Sequence, residues 1–103
     1  MQPQLDVRIA HEGGITTVVV VGEIDLLSSV RLNRELDGAF HSAPEWLRID
    51  LLAVGFMDTT GVAVLLKARR RALEAGCRFT VKAASPTIQR LLEITGLTAL
   101  LSE

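Results

Sequence analysis

The sequence has no tyrosine, one tryptophan and three phenylalanines in 103 residues. So few aromatics argue against an aromatic-lined ligand cavity and for a core of Leu, Val, Ile and Ala. A single cysteine, Cys77, cannot form an internal disulfide and fits a reducing cytoplasm. The opening Met1-Gln2-Pro3-Gln4-Leu5-Asp6 lacks the basic region and apolar run of a secretory signal. No apolar run approaches the roughly 18 residues that a spanning helix needs. An excess of one charge is missing as well. Eleven Lys and Arg against twelve Asp and Glu give a formal net charge of −1, so neither nucleic acid nor anionic membrane should attract the chain strongly. Balanced charge makes a monomer the default expectation.

Groupings that carry catalysis are also lacking. Gly13-Gly14 falls in a turn with no helix after it, unlike a phosphate-binding loop. His11 and His41 are isolated and share no metal-ligand spacing with Cys77. No serine stands in a nucleophile elbow. Neither enzymatic activity nor a cofactor is expected.

What the chain has is aliphatic content: hydrophobic residues make up 49%, enough for a packed core in one domain over residues 1–103. Leu5, Val7 and Ile9 alternate with Asp6 and Arg8, as in a half-buried strand. After the turn at 11–14, residues 15–22 carry four consecutive valines, which suits a strand buried on both faces. The two form a hairpin. Leu32, Leu36, Ala39 and Phe40 then mark one stripe of a helix, which Ser28 or Ser29 can cap. Leu47, Ile49 and Leu51 form a third strand, followed by a short apolar connection. A second helix turns Val62, Leu65, Leu66, Ala72 and Leu73 inward and stops at Gly76. Cys77, Phe79 and Val81 alternate in a fourth strand. Ser85-Pro86 opens a third helix with Ile88, Leu91 and Leu92 on its core face, ended by Gly96. Residues 97–101 fit either a strand or a helical turn. The order β-β-α-β-α-β-α predicts an α/β fold with a mixed sheet, mostly parallel with an N-terminal antiparallel hairpin, packed with helices.

Two segments end strands and precede helices, which puts them on one sheet edge. Gly22-Glu23-Ile24-Asp25 reads as a polar turn or as a carboxylate pair at a site. Asp58-Thr59-Thr60-Gly61 reads as a helix cap or as a hydroxyl displayed where backbone donors and the helix dipole tolerate phosphate. The residues alone weigh these equally. Lys67-Ala68-Arg69-Arg70-Arg71 reads as a solvated helix face near a C-terminus that favours positive charge, or as a surface for an acidic partner.

At these segments the sequence resembles the STAS family, in particular bacterial anti-sigma-factor antagonists, over roughly residues 5 to 101. Gly22-Glu23-Ile24-Asp25 is similar to the turn after the family's second strand. Phe56-Met57-Asp58-Thr59-Thr60-Gly61-Val62 is similar to its phosphorylation loop, and Ser85-Pro86 through Thr95-Gly96-Leu97 to its last helix. The resemblance implies binding to an anti-sigma factor kinase of histidine-kinase-like ATPase fold. Phosphorylation at Thr59, with Thr60 as second candidate, would end that binding, and a PP2C-type phosphatase would restore it. Glu23, Asp25, Asp58, Thr59, Thr60 and Gly61 would form the partner-binding set. Threonine at 59 departs from the commoner serine. A docking module of a lipid-transporter or scaffold complex, without phosphorylation, is the alternative.

Overall fold

The computed structural model describes residues 5–101. Strands β1 (Leu5–Glu12) and β2 (Ile15–Ile24) are followed by helix α1 (Ser28–His41), β3 (Trp46–Met57), α2 (Thr59–Ala75), β4 (Arg78–Ala84), α3 (Pro86–Ile94) and a 3₁₀ turn (Thr98–Leu101). The sheet order is β1-β2-β3-β4. The hairpin is antiparallel, from Leu5 opposite Gly22 to Glu12 opposite Ile15. The β2–β3 and β3–β4 pairs are parallel. This is the α/β mixed sheet that the sequence predicts.

The period-2 pattern of β2 and β3 sends Val18, Val20, Leu47, Ile49 and Leu51 into one core with the buried faces of all three helices. The valine run is buried on one face only. Val18 and Val20 are inaccessible, whereas Val19 is half-buried and Val21 exposed. Burial on both faces, which the valine run predicts, does not occur because every helix contributes to the same core, which leaves the sheet's other face open. On that open face Trp46 lies between two guanidinium groups, with Arg48 5.0 Å and Arg78 4.1 Å from the ring centroid. Its indole N–H donates to Thr80 Oγ1 at 2.9 Å.

Strand β3 is longer than residues 47–51. The apolar connection continues it, pairing Ala53 with Val21 and Met57 with Ile24, whereas β4 leaves the pairing at Ala84 opposite Leu51. One-sided pairing carries β3 outward to the edge where α2 begins. The α2 pattern also needs correction. Leu66 and Leu73 do not face inward: they are 40% and 73% exposed. The buried residues are Gly61, Val62, Val64, Leu65, Ala68 and Ala72, and each misplaced leucine stands one residue, about 100° of helix rotation, past a buried one. Gly76 ends α2 as predicted, at φ 67°, with Cys77 N–H donating to the Ala72 carbonyl at 2.8 Å. This left-handed stop closes the helix's open carbonyls.

Candidate functional site

The parallel pair β2–β3 brings both predicted segments to one rim. Ile24 lies beside Met57, and the Asp58 N–H donates to the Ile24 carbonyl at 3.1 Å. The loop before α2 is thereby tied to the residue preceding Asp25.

Asp58 caps α2 from an extended conformation, φ −99° and ψ −170°. Its carboxylate accepts the backbone N–H of Thr60 at 2.9 Å and of Gly61 at 3.4 Å. The Thr60 hydroxyl donates to the same oxygen. Thr60 is half-buried and committed to the cap. Thr59 is exposed, and its hydroxyl has no hydrogen-bond partner among the described residues. Gly61 is explained by packing: a Cβ there would lie 2.3 Å from Met57 Cγ and 2.8 Å from Ile24 Cγ2. The helix start sits so close to the strand ends that only glycine fits.

On the β2 side, Asp25 Oδ1 accepts the N–H groups of Leu27 at 3.1 Å and Ser28 at 2.9 Å, and the Ser28 hydroxyl at 3.1 Å. The Asp25 carbonyl accepts from Ser29 N–H at 2.8 Å. Asp25 is therefore the cap of α1, a role the sequence had suggested for Ser28 or Ser29. The Ser28 hydroxyl instead reaches back to the Glu23 carbonyl at 2.8 Å. These donors hold the Asp25 carboxyl below its ordinary range, the Ser28 N–H contributing most. Glu23 is exposed beside Phe56.

Around the two caps lies apolar surface that the sequence did not single out. Leu26 and Leu27 are more than two-thirds exposed, and Val30 and Phe56 about half. The adjacent leucines after Asp25 were the available signal, but in a strand-to-helix turn they read as connection. Among the described residues no three His, Cys, Asp or Glu side chains gather to hold a metal.

The geometry changes the electrostatics expected of a phosphate here. The donors at the start of α2 are already bonded to the Asp58 carboxylate. A phosphate on Thr59 would compete with that carboxylate for them and would otherwise project outward as uncompensated charge. The rim thus combines exposed apolar side chains, two capped helix starts and one unbonded hydroxyl.

Comparison with known proteins finds relatives of similar sequence and fold. The chain is 32% identical over 80 residues to an anti-sigma-B factor antagonist of Listeria monocytogenes, covering 78% of this chain and 70% of that one. It is 28% identical over 94 residues to an anti-sigma F factor antagonist of Paenibacillus polymyxa, covering 90% and 80%. A crystal structure of an anti-sigma factor antagonist from Mycobacterium paratuberculosis superposes with a TM-score of 0.85 at 28% identity, covering 92% of this chain and 80% of that one. The family model described as Mlab, STAS domain, matches residues 7–102. With the fold in agreement and the family model matching nearly the full length, the chain belongs to the STAS domain family.

Proposed function

We propose that this domain is an anti-sigma-factor antagonist whose rim binds an anti-sigma factor kinase of histidine-kinase-like ATPase fold and lets go when Thr59 is phosphorylated. A PP2C-type phosphatase then resets it. The relatives named above support the antagonist role. The observation that carries the switch is Thr59 itself, an exposed hydroxyl with no partner among the described residues, one residue from a carboxylate that already holds the helix donors. Thr60 fits the acceptor role less well, because its hydroxyl is spent on Asp58. Exposed Leu26, Leu27, Val30 and Phe56 supply the apolar area of the interface. A phosphate within it adds like-charge repulsion and desolvation cost, and a penalty of about 3 kcal/mol lowers affinity more than a hundredfold.

The test mixes purified protein with a candidate kinase and ATP and measures both mass and affinity. One phosphate should appear, on Thr59. Thr59→Ala should bind the kinase and stay unmodified, and Thr59→Glu should bind at least a hundredfold more weakly. Equal affinity of wild type and Thr59→Glu would remove the repulsion account. A second reading keeps the rim as a permanent docking surface of a transporter or scaffold complex. Threonine favours it, since its β-methyl restricts χ1 and crowds the hydroxyl. Stable association with a transporter ATPase and no phosphate transfer would establish that reading.

A further inference from the structure

The outward side of α2 forms a continuous surface that the rim does not account for. Thr59, Ala63, Leu66, Arg70 and Leu73 follow one another at spacings of 4, 3, 4 and 3 residues, which at about 100° per residue is a single stripe. It lies opposite the buried stripe through Leu65, Ala68 and Ala72. Leu66, Arg69, Arg70 and Leu73 border a shallow, open hollow of about 350 Å³. Lys67 and Arg69 flank the stripe on either side and are exposed, as is Arg70.

Among the described residues, Lys67, Arg69 and Arg70 form no ion pair. The neighbouring Arg71 shows what a structural arginine does on this helix: it pairs with Asp37 and lies 5.0 Å over the Phe40 ring, clamping α2 to α1. Nor does the helix dipole explain the other three. Its effect fades beyond the last turn, and the last turn of α2 holds no basic residue. What remains is a pair of water-exposed leucines seven residues apart, bracketed by unneutralised cations, on the helix face that begins with Thr59.

We propose that this face seats an acidic, leucine-bearing helix of the protein partner that docks at Thr59. Leucines two turns apart fit the heptad spacing of a facing helix, and three unpaired cations fit acidic flanks. At about 1.5 Å per residue, Leu66 and Leu73 lie about 10 and 20 Å along the axis from Thr59, within one continuous contact. An anionic membrane would suit the charge but not the hollow shape, the small number of cations, or exposed Glu74 beside them. Only the partner's identity rests on the function proposed above.

The test needs neither kinase nor ATP. The isotope-labelled 103-residue chain is titrated with a synthetic helical peptide carrying leucines every seven residues between glutamates, with the same peptide bearing lysines, and with phosphatidylglycerol–phosphatidylcholine vesicles. The acidic peptide should shift amide signals over residues 66–73. The double variant Arg69→Glu, Arg70→Glu should bind it at least tenfold more weakly and gain affinity for the lysine peptide. Leu66→Ser with Leu73→Ser should weaken binding to a similar degree; all four positions are exposed, and an unchanged dichroism spectrum checks the fold. Shifts elsewhere, equal affinity for both peptides, or binding to the vesicles alone would overturn the proposal. Failure of phosphate transfer to Thr59 would count against the switch and leave this result standing.

Discussion

Asp58 performs two tasks that substitution separates. As a cap it accepts two backbone donors and the Thr60 hydroxyl, so Asp58→Ala should cost about 1 kcal/mol, measured by urea unfolding. Asp58→Asn, which retains an acceptor, should cost less, yet it removes the charge that a Thr59 phosphate would oppose. Asp25 offers a pH test. Its folded pKa is depressed by the α1 donors, so its stabilising effect is fully present above the unfolded value of about 3.9 and is lost as pH falls through the lower folded value. The stability difference between wild type and Asp25→Asn should therefore shrink as pH is lowered from about 6 to about 3, and a constant difference would deny the charge a part. The Asp58 cap is legible in the sequence, since aspartate before a helical stripe is a capping signal, whereas for α1 the serines at 28 and 29 offer the same signal. Choosing Asp25 over Ser28 required knowing that the serine hydroxyl turns back to the Glu23 carbonyl, a contact set by how β2 ends.

At the scale of the element, α2 shows where periodicity succeeds and where it stops. Its start, its left-handed stop and Val62, Leu65 and Ala72 were legible because cap chemistry and i, i+3, i+4 spacing are local. The placement of Leu66 and Leu73 was not. A helix rich in leucine and alanine offers more than one apolar stripe, and only the strands beneath decide which is covered. Periodicity ends β3 too early for a related reason: Leu52 to Met57 is strand because β2 pairs with it, and no alternation announces that. Gly61 ties α2 to both strands. Gly61→Ala should cost about 1–3 kcal/mol through overpacking against Met57 and Ile24, and the cost should fall in a Met57→Ala background, as a double-mutant cycle would show. Additive effects would place the strain elsewhere.

For the whole molecule, the order of elements and the mixed sheet could be read from alternation and turn residues, because right-handed crossovers leave few ways to connect them. The open face could not. Four consecutive valines look the same whether one or two helical layers cover them, and here a single core collects every helix. Cys77 is buried, and burial pushes its thiol above the ordinary range. It should react with an exposed-thiol reagent only as the domain opens, so labelling in increasing urea should track unfolding.

The position of Trp46 makes the domain its own optical gauge. The chain's one tryptophan begins β3, at the far end from Met57 and Thr59 of a 12-residue strand that, at about 3.3 Å per residue, crosses the full width of a body 33 Å wide. Its emission should change when melting pulls the indole from between Arg48 and Arg78, yet stay constant when Thr59 is modified. A spectrum that shifts on phosphorylation would mean that the far end of the sheet senses events at the rim.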